Sequence, residues 1–212
     1  ARIDDEEKAK KFIRLLWDVR VAFDLNIIKW VENGNEEEVH QIKPLYKYNL
    51  PRKHTYYLRR LEPIVSDGFA LLQSMLYHSQ QIITHYWLTP ILYKCLKTAE
   101  RDELYAYLRK LDNFLFCTGD TSSLPERTWK FIGKDLDDVP LSYDISLLDQ
   151  KLGVDFPHYW FYKLDFVLWF LLKDDMGSNW KEYRMTAKNS VEHVSPRKPR
   201  QNDRYQLSKS KL

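Results

Sequence analysis

The sequence predicts a mainly α protein: a multi-helix, bundle-like domain over residues 1–180, then a segment of different character over 181–212. Three observations lead there. Only six glycines stand among 212 residues, too few for a turn-rich sandwich or a glycine-dependent nucleotide fold. Apolar residues recur at helical spacing over most of the length. No alternating stretch of convincing strand length is visible before residue 185. With 44% hydrophobic and 15% aromatic residues, the chain has enough apolar material for a real core.

The first helix is read from Phe12, Leu15, Leu16, Val19 and Phe23, an i, i+3, i+4, i+7 stripe with charges on the other face. It fades into VENGNEEEVHQ, where Asn33-Gly34-Asn35 predicts a turn. Pro44, Pro51 and Pro63 interrupt the tyrosine-rich stretch that follows, and a short helix is expected between Pro51 and Pro63. SDGFALLQSMLYHS, capped at Ser66, predicts the next helix with Phe69, Leu72, Met75 and Leu76 on one side. Thr89 and Pro90 are read as cap and first residue of another. ERDELYAYLRKLDNFLFC repeats the period through Leu104, Leu108, Leu111 and Leu115. GDTSSLPERTW reads as a loop. Helices are then expected over Leu141–Leu152, ended by Gly153, and from Pro157 through HYWFYKLDFVLWFLLK. Six to eight helices result, with no internal repeat.

Several function classes lose their footing. No P-loop, GxGxxG, GxSxG, CxxC or HExxH is present, which removes Walker-type ATP binding, elbow-type serine hydrolysis and structural zinc of the usual spacings. Cys95 and Cys117 predict buried free thiols of a reducing, cytoplasmic compartment. The longest apolar run, Phe166–Leu172, is far too short for a bilayer core of ~30 Å and is expected to be a buried helix segment; no membrane association is predicted. Ala1 opens directly into a charged helix, as expected of a piece of a longer protein.

Charge is uneven. The formal net charge is +3, but Arg197, Lys198, Arg200, Arg204, Lys209 and Lys211 face only Asp203 after Val194. A basic tail of this kind either contacts nucleic-acid phosphates or is simply solvated.

Within NSVEHVSPRKP, Val191 and Val194 flank Glu192 and His193, and Pro196 follows. This suits a short strand running into a loop. There a carboxylate can sit beside a divalent ion while an imidazole takes a proton from the attacking water, and proline holds the direction of the chain. The other reading is a surface histidine in a tail. His40, His54, His78, His85 and His158 are expected to be structural or solvated: His78 and His85 share a face only if one helix spans both, and His40 and His158 lie near expected helix ends. Asp165, in an otherwise apolar helix, implies a buried partner on another helix, since Lys163 two residues away cannot face it. The 14 tyrosines and 7 tryptophans could stack bases, or fill core and interfaces.

SVEHVSP resembles the (I/V)EHI.P signature that opens the HNH-type nuclease domain of GmrSD-like restriction proteins, and is close to the DHI.P opening of other ββα-metal nucleases. LLQSMLYHSQQIITHYWLTPILYKCLK followed by ELYAYLRKLDNFLFC resembles the helical region of the same proteins, so the likeness covers roughly residues 60–200. The resemblance implies that residues 181–212 are the start of a ββα-metal (HNH-like) segment. It also implies a bacterial defence endonuclease that cuts foreign, often modified, DNA with a divalent metal, Mg or Mn. His193 is similar to the general base, Glu192 to a metal-side carboxylate and Pro196 to the turn proline, with Arg197, Lys198 and Arg200 placed for nucleic-acid contact. An N-terminal ParB-like nucleotidase domain with a DGQQR-type motif belongs to that family and is missing here, so a nucleotide would enter only through that domain. The family continues past the histidine through a GNL-like strand and a helix with a second Asn or His; here 16 residues follow Pro196 and Asn202 stands alone. The nuclease site is therefore expected to be incomplete. The rival expectation is a catalytically silent α-helical module for interaction or DNA binding.

Overall fold

In a computed structural model of the chain, the structure describes residues 5–33, 37–50, 55–63, 67–79, 85–137, 139–140, 142–144, 146–150, 152, 156–175, 177 and 183–186. Among these the order is α1 (Glu6–Asn26), β1 (Lys29–Asn33), β2 (Glu37–Gln41), β3 (Leu45–Leu50), β4 (Thr55–Arg60), α2 (Gly68–Ser79), α3 (Leu88–Cys95), α4 (Arg101–Phe116), α5 (Leu124–Phe131), a 3₁₀ turn (Ser146–Asp149) and α6 (His158–Leu172). The protein is mainly α, as expected, but carries two antiparallel hairpins that the sequence reading lacks.

The centre is α2, packed between α4 and α6. Phe69 to Leu76 are buried on every side of α2, because neighbours cover the whole helix rather than one stripe. α4 presents Leu104, Leu108, Leu111 and Leu115, all fully buried, in the periodicity expected. α6 begins after Pro157, also as expected, and turns Tyr159, Tyr162, Phe166 and Trp169 inward.

Gln73 fastens the N-terminal elements to this centre. Its side chain is fully buried, accepts from the Ile28 backbone N–H at 3.1 Å and donates to the Asn26 carbonyl at 2.9 Å. One amide thereby satisfies a donor and an acceptor at the break between α1 and β1, where neither helix nor sheet can. Lys29 completes the break by donating to the carbonyls of Phe23, Asp24 and Ile27, at 3.3, 3.0 and 3.0 Å.

Several expectations are corrected. The region before Ser66 forms strands, not a helix between Pro51 and Pro63: β1 pairs with β2 from Lys29↔Gln41 to Asn33↔Glu37, and β3 with β4 from Leu45↔Arg60 to Leu50↔Thr55. GDTSSLPERTW is no mere loop. Ser123 and Glu126 close a capping box, with the Ser123 N–H and hydroxyl donating to the carboxylate at 2.9 and 2.8 Å, and α5 follows. The helix expected over Leu141–Leu152 is, where described, one 3₁₀ turn. α3 starts before Thr89 and takes Pro90 into its first turn. At the start of α2, Asp67 caps by accepting from the Phe69 and Ala70 N–H groups at 3.1 and 3.3 Å; Ser66 lies outside the described residues.

Two apolar stripes stay largely exposed among the described residues. Phe12, Leu15 and Leu16 of α1 are about half exposed and Trp17 more so, although their periodicity predicts burial. The run Phe166–Leu172 is buried on one face only, since Val167, Leu168 and Leu171 point outward with Phe161 and Leu164. No helix among the described residues is long and apolar enough to cross a membrane.

Candidate functional site

Glu192, His193, Pro196, Arg197, Lys198 and Arg200, the residues singled out by sequence, lie outside the described residues, as does His54. The nearest described residues before Glu192 are Tyr183–Thr186, and they are tied to the helical body. Met185 is buried in the core, the Tyr162 hydroxyl donates to the Thr186 carbonyl at 3.2 Å, and the Tyr183 hydroxyl donates to the Asp165 carboxylate at 3.3 Å. Asp165 thus finds a partner on this extended segment rather than on another helix. Burial, with the Asp165 charge beside it, raises the Tyr183 phenol well above its ordinary value, so it stays a donor. Tyr183, Arg184 and Met185 line a cleft with His40, Asp67, Ser74 and Trp169.

Beside this cleft the fold brings together histidines that are distant in sequence. His40 lies on β2 and His78 in the last turn of α2, with Nδ1 of the first 3.1 Å from Nε2 of the second. One ring nitrogen donates to the other. Trp30, the β1 partner of His40, packs on it at 4.0 Å between ring centroids, and Tyr77 at 4.3 Å. His85 stacks on the far side of this group against Tyr77 at 4.5 Å, and Tyr162 of α6 lies parallel to His78 at 6.3 Å. Burial lowers His40 to about 4, helped by the imidazoles of His78 and His85; burial also lowers His78 and His85. All three rings are therefore neutral near pH 7. His40 is in a strand, not at a helix end, and His158 opens α6 rather than closing a helix. α2 spans Gly68–Ser79 and His85 is not helical, so the two histidines share no helical face; aromatic packing brings them near each other instead.

A second polar group is buried between α4 and α6. The Asp112 carboxylate, fully buried, accepts from the Tyr159 hydroxyl at 2.9 Å and from the Lys163 ammonium, which also donates to Asn113 Oδ1 at 3.0 Å. Tyr159 Oη lies 3.4 Å from Cys117 Sγ. Burial raises the Asp112 carboxyl against the pull of Lys163 and Tyr159, and it raises the Cys117 thiol too. Cys95 is pushed up to about 12 by burial. Both cysteines are free thiols, as expected, and neither has thiolate character at neutral pH.

At the C-terminal end of α1, Arg20, Lys29 and Arg60 converge on Asp24, at 2.6, 3.8 and 3.6 Å. Burial works to raise the Asp24 carboxyl, but Arg20 foremost, with Lys29 and Arg60, holds it below its ordinary value. Burial lowers Lys29 to about 8, with Asp24 opposing. Three cations on one carboxylate leave this corner positively charged.

Among the described residues, no group of three or more His, Cys, Asp or Glu side chains is arranged to hold a metal ion. Comparison with protein-family models, curated proteins and solved structures returned no match. The histidine pair and the Asp112–Lys163 pair escape a sequence reading because their members lie 38 and 51 positions apart. The one local signal was Lys163, whose turn of α6 holds no carboxylate it can face.

Proposed function

We propose that this chain is the helical body and the beginning of the catalytic segment of a divalent-metal-dependent DNA endonuclease resembling the GmrSD-type restriction proteins. The observation that supports it is the order of anchored body and motif. Tyr183–Thr186 are held on α6 by Tyr162, Asp165 and the core around Met185, and Glu192-His193 follow six residues after Thr186. A general base must be held to well within an ångström of its productive position. Anchoring the chain at Thr186, seven positions before His193, limits how far the motif can lie from the helical body.

In this reading His193 accepts the proton of the attacking water, and Glu192 is the carboxylate on the metal side. Pro196 fixes the backbone direction after them, and Arg197, Lys198 and Arg200 meet phosphates of the DNA. A Mg or Mn ion, when bound, stabilises charge developing on the phosphate. Nucleotide dependence would come only from a ParB-like nucleotidase domain outside this chain, and the reading places the protein in the bacterial cytoplasm. The rival, a catalytically silent DNA-binding module, draws support from the exposed β3–β4 hairpin described below.

The test is plasmid cleavage by the full-length protein in Mg or Mn. His193→Ala is expected to cut roughly 10²–10⁴-fold more slowly than wild type. Equal rates would remove the general-base assignment. DNA binding by wild type with no cleavage in either metal would favour the silent module.

A further inference from the structure

We infer that the β3–β4 hairpin and its base form a binding surface for single-stranded nucleic acid. Every residue of β4 is exposed, and Tyr48, Tyr56, Tyr57 and Leu58 put large apolar surfaces into water. A lone two-stranded ribbon has little of its own to stabilise it. Among the described residues it is fastened at its base, by the Arg60 guanidinium on the Lys43 carbonyl at 3.1 Å, by Arg60 on Asp24, and by the Leu61 N–H on the Pro44 carbonyl at 2.9 Å.

The arrangement of the side chains indicates what the ribbon meets. Strand alternation and register put Tyr46, Tyr48, Tyr57 and Arg59 on one face, with Tyr48 opposite Tyr57 and Tyr46 opposite Arg59. The three rings pack on one another, edge to face at 6.4 Å between Tyr46 and Tyr48 and tilted at 5.2 Å between Tyr48 and Tyr57. On the other face, Lys47 Nζ lies 3.3 Å from the centre of the Tyr56 ring. Toward the base, the corner built on Asp24 adds Arg20, Lys29 and Arg60. Among the described residues, Arg20, Lys43, Lys47, Arg59 and Arg60 lie on or beside the hairpin, and the carboxylates they pair with are those of Asp24 and Glu62.

Exposed aromatic rings beside an excess of cations complement a partner with repeated flat rings and repeated negative charge. An acidic peptide would use the cations and leave the rings idle; an apolar protein face would bury cations without partners. The exposed rings select the single strand. Duplex bases already stack on each other and have no free face to offer, whereas unpaired bases can lie on the exposed faces of Tyr48, Tyr56 and Tyr57, as single-strand binding proteins hold them. This deepens the DNA-directed reading above, yet it stands on the hairpin and needs no cleavage.

The test titrates the full-length protein, in EDTA, into labelled oligothymidylate and into a duplex of the same length, followed by anisotropy. Tyr48→Ala/Tyr57→Ala is expected to weaken single-strand binding roughly 10- to 100-fold, while Tyr48→Phe/Tyr57→Phe, which keeps the rings and the hairpin, binds as wild type. Lys47→Ala/Arg59→Ala is expected to lower the slope of log affinity against log salt by about 1, and Lys134→Ala, in the turn after α5, to leave it unchanged. The titration in EDTA reads binding without cleavage, so loss of the nuclease assignment would leave this result standing. Undiminished single-strand binding by the tyrosine-to-alanine variant, or equal loss in the phenylalanine variant, would overturn the proposal. So would tighter binding to the duplex.

Discussion

Replacing Asp112 with alanine tests the packing of α4 on α6 most severely. Its carboxylate is fully buried and accepts from Tyr159 and Lys163, whose own side chain is largely buried as well. Removing it leaves the Lys163 ammonium with only Asn113 as an acceptor in the described contacts, and leaves the Tyr159 hydroxyl with the weaker Cys117 sulfur. Deleting one member of a buried pair costs about 3–5 kcal/mol, mostly from the partner left behind. A domain of this size has about 5–15 kcal/mol in total, so the variant should sit near its unfolding threshold. Urea unfolding followed by tryptophan fluorescence measures the loss directly. The origin of the cost is checked by Asp112→Leu/Lys163→Met, which removes both charges and should recover most of the stability. A single-variant loss under about 1 kcal/mol, or a double variant no better than Asp112→Ala, would refute the reasoning.

Other outcomes follow from the same packing. The histidine cluster should make the fold acid-sensitive: folded His40 is held to about 4, so the unfolded chain binds the extra proton. Its stabilisation is present above pH 6.5 and lost as pH falls toward 4, by about 1–2 kcal/mol after allowing for partial solvation. Thermal unfolding between pH 7.5 and 5 should show the decline, and His40→Gln should flatten it. Leu108→Ala, at a fully buried position of α4, should cost about 2–5 kcal/mol in the same urea assay.

How far the sequence could be read depended on what each element does with its side chains. α4 and α6 were legible because one face of each meets the core, so Leu104, Leu108, Leu111 and Leu115 recur at the helical period. β4 was not, because it buries neither face: TYYLRR carries no alternation for burial to impose. In α5 the signal was on the page, a Ser123-x-x-Glu126 box with Pro125 in the first turn, but serines and a proline together read as loop. The α1 stripe shows the opposite failure. Its period is real, yet Phe12, Leu15 and Leu16 stay about half exposed among the described residues, since amphipathicity reveals a face and not its cover. Candidate chemistry was legible only where it is local. Glu192, His193 and Pro196 stand together in the sequence, whereas His40 and His78 meet only after β2 packs on α2.

The proposed cleavage requires His193 as a base. The most direct measurement is DNA cleavage by full-length His193→Gly protein in Mn, with imidazole added over a range of concentrations and pH. The account predicts a nearly inactive variant whose rate climbs with imidazole and follows the neutral fraction of the added base. A variant that cuts at the wild-type rate without imidazole would contradict it.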